Sequence, residues 1–371
     1  MSFKLKNGVL LGAMALSLNA HAGATINIGD DKSVSVGFGM RSSFTSMEDA
    51  APNGTSRSSD FNLDSARLFL GASLNKNIKG MLNTEWDGNE IRVLDAAGQF
   101  AISPELNVWA GRLLSPSDRA NMAGPYYSLG GGYWAGVASR YGYNGGIFRG
   151  RDDGVVVWGD VLAGKLGYSF GAFEGHTFGI GSLTQSAAKA AGVKATDQLM
   201  YAGRLQYDFW DAEPGYYGTG NYLGGKDILS LGVAGRYQKD GVLTTGAIGN
   251  YKSYNVDFLM EKIIKGAGAV SVEAAYYKYD TDGVIKSEQG KAYSAGAAYI
   301  FEQKMGWGKL QPFARYQKFA ADTNIDTKQY DGGVNYIIDG YNAQVSAVYS
   351  KTKISTGSNL DKFVVALQLQ Y

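Results

Sequence analysis

Cysteine is absent from the 371 residues, and histidine occurs only as His21 and His176. Thiol chemistry, disulfide frameworks and zinc ribbons are therefore excluded, and no multi-histidine metal centre can be assembled. Proline is scarce at 6 residues, and beyond the N-terminus no stretch approaches the about 18 uninterrupted apolar residues that a membrane-crossing helix needs. No sign of charge dominates: 35 Lys and Arg stand against 34 Asp and Glu, which argues against a polyanion-binding surface and so against nucleic acid as a partner. What is abundant is glycine, with 52 residues, and tyrosine, with 25. The lack of a Gly-X-Y period excludes collagen, and an aromatic content of 13% argues against disorder. A β-rich fold remains.

The first residues follow an export pattern. Lys4 and Lys6 precede the apolar run Val9–Leu18, and Ala20-His21-Ala22 precedes Gly23. A basic start, a short apolar core and a small-x-small site predict a cleaved secretory signal over residues 1–22, with the mature chain starting at Gly23. Residues 1–22 hold two lysines and no acid, so residues 23–371 carry a net charge of about −1. If such a chain resides in a membrane, it crosses as strands.

From Ser33 onward the dominant pattern is alternation. Phe363, Val365, Leu367, Leu369 and Tyr371 share one face, with Lys362, Ala366, Gln368 and Gln370 on the other. The same writing recurs in Tyr341, Ala343, Val345, Ala347 and Tyr349, and in Tyr254, Val256, Phe258 and Met260. The apolar faces tend to end in aromatic residues, with Ala, Gly or aliphatic residues between, as a lipid-facing band with interfacial girdles requires. A soluble sandwich also alternates, but Ala and Gly at mid-strand would leave voids in a dry core.

Strands are expected at 33–47, 60–75, 79–88, 90–102, 106–114, 153–161, 165–175, 198–210, 227–239, 251–264, 268–280, 291–303, 308–321, 327–338, 341–353 and 361–371. The expected fold is all-β, a transmembrane antiparallel β-barrel of about 16 strands. Tight links such as Leu162–Lys165 and Lys265–Gly268 alternate with longer ones, the asymmetry of periplasmic turns and extracellular loops. The link Asp211–Lys226 falls on the turn side yet is long.

The longest connection, residues 115–152, makes a third extracellular loop. An aperiodic segment of that length in a compact barrel is usually functional. Folded toward the lumen it is a candidate constriction loop, bringing Asp118, Arg119, Arg140, Arg149, Arg151, Asp152 and Asp153 near the narrowing; packed outside, it would only cover other loops. The inward faces are expected to carry both signs: Arg67, Arg112, Arg204, Arg236 and Arg315, with Glu85, Asp95, Asp257, Glu261, Glu273 and Asp331. An arginine against lipid at mid-bilayer costs about 2–4 kcal/mol, so these side chains are expected to face water or acidic partners.

Taken together, these features resemble a Gram-negative outer-membrane porin. The ending FVVALQLQY is similar to the C-terminal signature by which the barrel-assembly machinery recognises its clients, with Tyr371 last. Over Phe61–Arg119, the strings DSARLFLGASLNKNIKGMLNTEWDG and VLDAAGQFAISPELNVWAGRLLSP resemble the phosphate-selective porin O and P family. That resemblance implies a homotrimer of sixteen-stranded barrels with an arginine-lined anion path, onto which Arg67, Arg112, Arg119 and Arg315 can be carried. A net charge near neutrality and the acidic inward residues depart from that pattern.

The expected function is passive diffusion of small hydrophilic solutes or ions, with an anion preference as its extension, through an outer-membrane barrel contacting lipids and lipopolysaccharide. No catalytic residue, metal or cofactor is expected. The alternatives are a plugged structural or adhesive barrel and an outer-membrane hydrolase; for the latter, nothing around His176 supplies a recognisable nucleophile arrangement.

Overall fold

The computed structural model describes residues 23–371 except 30, 87, 89, 131–135, 142–149, 176–191, 193, 195, 245 and 358. The expected signal segment 1–22, His176 and Arg149 lie outside the described residues.

The first strands are β1 (Gly23–Asn27), β2 (Ser33–Met47), β3 (Asp60–Ser73), β4 (Ile78–Trp86), β5 (Ile91–Ser103) and β6 (Leu106–Leu114). After a short helix α1 (Arg119–Ala123) and a single 3-10 turn (Pro125–Tyr127) come β7 (Arg151–Val161), β8 (Leu166–Phe173), β9 (Met200–Asp208), β10 (Ile228–Leu243) and β11 (Ile248–Ile264). The chain ends with β12 (Gly268–Asp280), β13 (Gly290–Phe301), β14 (Lys309–Ala321), β15 (Asp326–Asp339), β16 (Ala343–Ile354) and β17 (Asn359–Gln370).

Each strand from β2 to β17 pairs antiparallel with its chain neighbour, and β17 pairs back onto β2 from Lys362↔Met47 to Gln370↔Gly39, closing a barrel of 16 strands. Closure leaves no free sheet edge. The expected strand set is thus observed, with one addition. Strand β1, too short to show a period, pairs with the start of β2 from Gly23↔Gly37 to Asn27↔Ser33. It takes up where the chain end leaves off, since Phe38 and Tyr371 exchange backbone hydrogen bonds of 2.6 and 2.7 Å. β1 and β17 therefore lie end to end along β2.

Alternation sets the two surfaces. On β13, Ala292, Ser294 and Ala298 are buried inside, while Tyr293, Ala295 and Phe301 face outward and are exposed. The outer surface shows Phe170, Leu205, Val233 and Val365 to its surroundings, the reverse of a water-soluble sandwich. Outer aromatic rings form two bands. Tyr254, Tyr276 and Tyr293 follow one another at 6.1 and 5.3 Å toward the end with long connections; Tyr207–Phe209 and Tyr299–Phe301, each 4.9 Å apart, lie toward the other. No described helix is long and apolar enough to cross a membrane.

Candidate pore constriction

Two segments enter the barrel, one from each end. The first leaves β6, where the Ser115 backbone N–H and hydroxyl both donate to the Gly150 carbonyl at 2.9 and 2.8 Å and clamp the base of the loop. Pro116 then breaks the strand pattern. Helix α1 carries Arg119 inward, and Gly124, at φ +66°, turns the chain into the Pro125–Tyr127 turn, a conformation a side chain would resist. Beyond it the ring of Tyr126 lies under two guanidinium groups, Arg41 at 5.0 Å and Arg67 at 4.8 Å, and its hydroxyl is 3.1 Å from that of Ser65. Leu129 ends against Ala298, Phe313 and Val348. The segment thus runs across the barrel from the β9–β11 wall to β2–β3 and on to β13–β16.

The second segment joins β9 to β10. Its Tyr216 packs on Trp109 and Trp158, at 4.9 and 5.9 Å, and donates to the Leu114 carbonyl. Leu223 sits against Ala269, Ile300 and Ile337. The two segments touch directly: the Gly220 N–H donates to the Tyr127 carbonyl at 2.7 Å.

Where they meet, the charges are buried in pairs. Arg119 donates through both terminal nitrogens to the Glu213 carboxylate, at 2.8 and 2.7 Å, and its own N–H donates to Asp257 at 3.1 Å. Arg204 grips the same Asp257 twice, at 2.6 and 2.7 Å, and also donates to the Ser117 carbonyl at 3.0 Å. Burial pushes the Glu213 carboxyl up, but the Arg119 guanidinium more than offsets this and holds it below its ordinary value. Asp118, fully buried beside the Asp257 charge, is pushed up to about 6 although Tyr277 and Ser139 donate to it.

The expected site residues fall into four groups. Arg67, Asp95 and Arg151 border a cavity of about 350 Å³ between the two inserted segments, each in an ion pair: Arg67 with Glu85 and Arg151 with Asp95, both at 2.9 Å. Arg119, Arg204, Asp257 and Asp118 belong to the buried junction, and Arg236 joins it by donating to the Ser115 and Pro116 carbonyls at 3.4 Å and covering the Tyr141 ring at 4.1 Å. Farther round the wall, Arg315 pairs with Asp331 at 3.0 Å, Arg140 pairs with Glu288 and lies over Phe319, and Glu273 borders a small pocket beside Arg119. Asp152 is buried at the loop base, where it accepts from the Gly175 N–H at 2.8 Å.

The fourth group is a correction. Arg112 and Asp153 are directly opposite on β6 and β7 and face outward, 35% and 63% exposed, in an ion pair of 3.4 Å. The reason is register. Trp109 and Leu113 take the inward positions of β6, so Arg112 points away, whereas Arg204 and Arg236, in the same Ala-Gly-Arg string, fall on inward positions of β9 and β10. Arg112 is therefore no part of an inner arginine row. Of the two surroundings expected for the wall charges, water or acidic partners, the second holds for Arg204 and Arg315, which pair with Asp257 and Asp331; with Arg236 they are each less than a tenth exposed, because the inserted segments and neighbouring carboxylates cover them.

Sequence reasoning missed Glu213, Tyr216, Tyr222 and Arg41. The length of the link Asp211–Lys226 was the available signal, but its inward course was not written in any period. Among the described residues, no group of three or more His, Asp or Glu could hold a metal.

The closed antiparallel barrel of 16 strands has the fold of solved outer-membrane porins. An anion-selective porin from Comamonas acidovorans matches 92% of this chain and all of its own at 14% identity and a TM-score of 0.61. The outer-membrane channel DcaP of Acinetobacter baumannii matches 94% of this chain and all of its own at 10% identity and a TM-score of 0.58. The trimer form of OmpT, an outer-membrane protein of Vibrio cholerae, matches 92% of this chain and all of its own at 13% identity and a TM-score of 0.55. At these identities the likeness is one of fold. No family model and no curated protein sequence matches the chain.

Proposed function

We propose that this chain is an outer-membrane porin, without enzymatic activity, that passes small hydrophilic solutes or ions by passive diffusion. The observation that carries the reading is the closed barrel with an apolar, aromatic-banded outside and a polar inside entered by two segments. The signal pattern over 1–22 supports export, and the terminal strand ending in Tyr371 supports assembly by the barrel-assembly machinery into a membrane of lipid and lipopolysaccharide. On this reading residues 115–152 form an extracellular loop that narrows the path, and the cavity bordered by Arg67, Asp95 and Arg151 lies on it.

A homotrimer is part of the proposal. Every strand from β8 to β16 contains tyrosine, while β2 to β7 contain none. Tyrosine marks the lipid interface, so the tyrosine-free sector fits a face covered by other copies of the chain. Anion preference is the finer proposal, supported by Arg67 and Arg151 at the cavity and by one fold neighbour that is an anion-selective porin. The phosphate-selective porin O and P resemblance supports the layout; the outward Arg112 and the paired Arg119 and Arg315 break the arginine path it implies.

The burial of the Arg119, Glu213 and Asp257 cluster favours a second reading, a barrel plugged by its own segments. Single-channel recording on refolded protein in planar bilayers separates the two. Discrete ohmic steps support the pore, and silence after verified insertion supports the plug. Reversal potentials under a salt gradient test the anion preference, which cation selectivity would refute.

A further inference from the structure

A link between neighbouring antiparallel strands needs about two to five residues. At the end of the barrel where the other links are short, such as 265–267 between β11 and β12 and 340–342 between β15 and β16, residues 209–227 are far longer than closure requires. That extra chain is spent inside the lumen. We propose that residues 211–226 are a second constriction element, seated from the end opposite to residues 115–152, and that Glu213 sets the ionic preference of the narrowing by cancelling Arg119. The proposal rests on the pore reading above.

Three observations carry it. First, the segment is anchored along its length by wall carboxylates: Asp208 accepts from the Glu213 N–H at 2.7 Å, Asp160 from the Gly215 N–H at 2.9 Å, and Glu261 from the N–H groups of Tyr222 and Gly224 at 2.8 and 2.6 Å. A segment that fills such acceptors is seated in one place. Second, it fits against the other segment without slack. A β-carbon on Gly220 would stand 2.7 Å from the Leu129 backbone nitrogen, closer than real β-carbons come, and one on Gly218 would lie in ordinary contact with the Met122 β-carbon at 3.8 Å. The Thr219 carbonyl accepts from Arg119 at 3.0 Å. Third, each guanidinium at the contact is held by a carboxylate, and Glu213 is the one that takes both terminal nitrogens of Arg119. Arg119 and Arg204 supply two positive charges, and Asp257, held by Arg204, supplies one negative; Glu213 supplies the other, and Tyr222 donates to it at 2.7 Å. Without that carboxylate, Arg119 would lose its closest counter-charge and keep only Asp257 at 3.9 Å, leaving excess positive charge near the cavity, where a low-dielectric wall focuses its field on passing ions.

The test uses the full-length refolded protein in planar bilayers and three variants. Replacing residues 213–222 by a four-residue Gly-Asn link opens the narrowing; conductance is expected to rise at least about twofold and ion preference to move toward anions. Glu213→Gln keeps the size and one acceptor oxygen of the side chain and removes its charge, so the chloride-to-potassium permeability ratio is expected to rise by at least about twofold, with conductance changed less than in the shortened variant. The third variant, Met122→Cys with Gly218→Cys, checks the seat in the membrane. The β-carbon spacing of 3.8 Å suits a disulfide, and the chain has no other cysteine. Oxidation is expected to form the bond and leave conductance near that of wild type.

Wild-type conductance in the inserted shortened barrel overturns the constriction. An unchanged permeability ratio in Glu213→Gln overturns the role of its charge, and this variant decides that point even where the shortened barrel fails to fold. Failure of the cysteine pair to cross-link overturns the seat. Silence of the wild-type and shortened barrels alike refutes the pore reading itself, whereas a silent wild type opened by shortening supports the second constriction in its strongest form.

Discussion

The two segments inside the barrel are held by opposite halves of the wall's charge. Residues 115–117 offer backbone carbonyls, and wall arginines receive them: Arg236 donates to Ser115 and Pro116, and Arg204 to Ser117. Residues 213–224 offer backbone N–H groups, and wall carboxylates receive those: Asp208, Asp160 and Glu261. Arg119 is the exception that joins them, since its N–H reaches Asp257 while its guanidinium reaches Glu213. The difference shows what an inward charge is for in this barrel. Irregular backbone inside a barrel needs partners for every polar group, and alternating strands supply them as fixed arginines and carboxylates. Much of the charge that would otherwise set a field across open water is occupied in seating the segments that narrow it.

The largest effect is expected where the comparison turns on a single residue. Asp257 and Glu261 both point inward from β11, one serving the loop segment and the other the turn-side segment. Asp257→Ala strips Arg204 of both its carboxylate bonds and leaves a buried guanidinium uncompensated, a loss of about 3–5 kcal/mol. Urea unfolding in detergent micelles reads this, with Arg112→Ala as the matched control. The Arg112–Asp153 pair is exposed on the outer face, so its loss is expected to cost under about 1 kcal/mol. Equal costs for the two would mean that the junction is wet and the arginine row open to water.

A smaller effect separates the segments. Glu261→Ala removes the acceptor of Tyr222 N–H, Gly224 N–H and the Ser271 hydroxyl, at a cost of about 2 kcal/mol. Glu261→Gln retains one acceptor oxygen and is expected to recover about half of that. Hydrogen exchange localises the change: residues 219–226 should lose protection in Glu261→Ala while residues 119–127 keep theirs, and Asp257→Ala should give the reverse order. Loss of protection in both segments from either change would merge them into one cooperative unit.

Period two was enough to place the strands because it is a property of each strand alone. Lipid outside and polar groups inside write the same rule sixteen times, and the terminal strand, with Phe363, Val365, Leu367 and Leu369 facing outward, follows it. The inserted segments obey no such rule. Their courses are set by long-range pairs such as Arg119 with Glu213 and Tyr126 with Arg67, separated in sequence and without periodicity. Length marked 115–152 as an insertion, and the same signal was present in Asp211–Lys226, but an insertion's length does not state the direction in which it folds. The outward turn of Arg112 had a similar cause. The tripeptide Ala-Gly-Arg is local, while facing is decided by pairing register with β5 and β7, where Ala96 and Asp153 stand opposite.

The last expected effect is a pH dependence in the seat of the loop segment. Asp118 accepts from the Tyr277 and Ser139 hydroxyls, and burial together with the Asp257 charge raises its carboxyl from the ordinary 3.8 to about 6. A raised acid favours the protonated folded form. Its contribution is therefore complete below pH 3.8, declines as pH climbs, and is gone above about 6, where the seated segment holds a buried carboxylate that the unfolded chain would expose to water. Asp118→Asn removes the titration while keeping the shape. The stability difference between variant and wild type, measured by urea unfolding in micelles from pH 4 to pH 8, should drift in the variant's favour across this window and level off above it. Parallel profiles would show that Asp118 does not titrate in the seat, and the loop would then be held with no cost from its own acid.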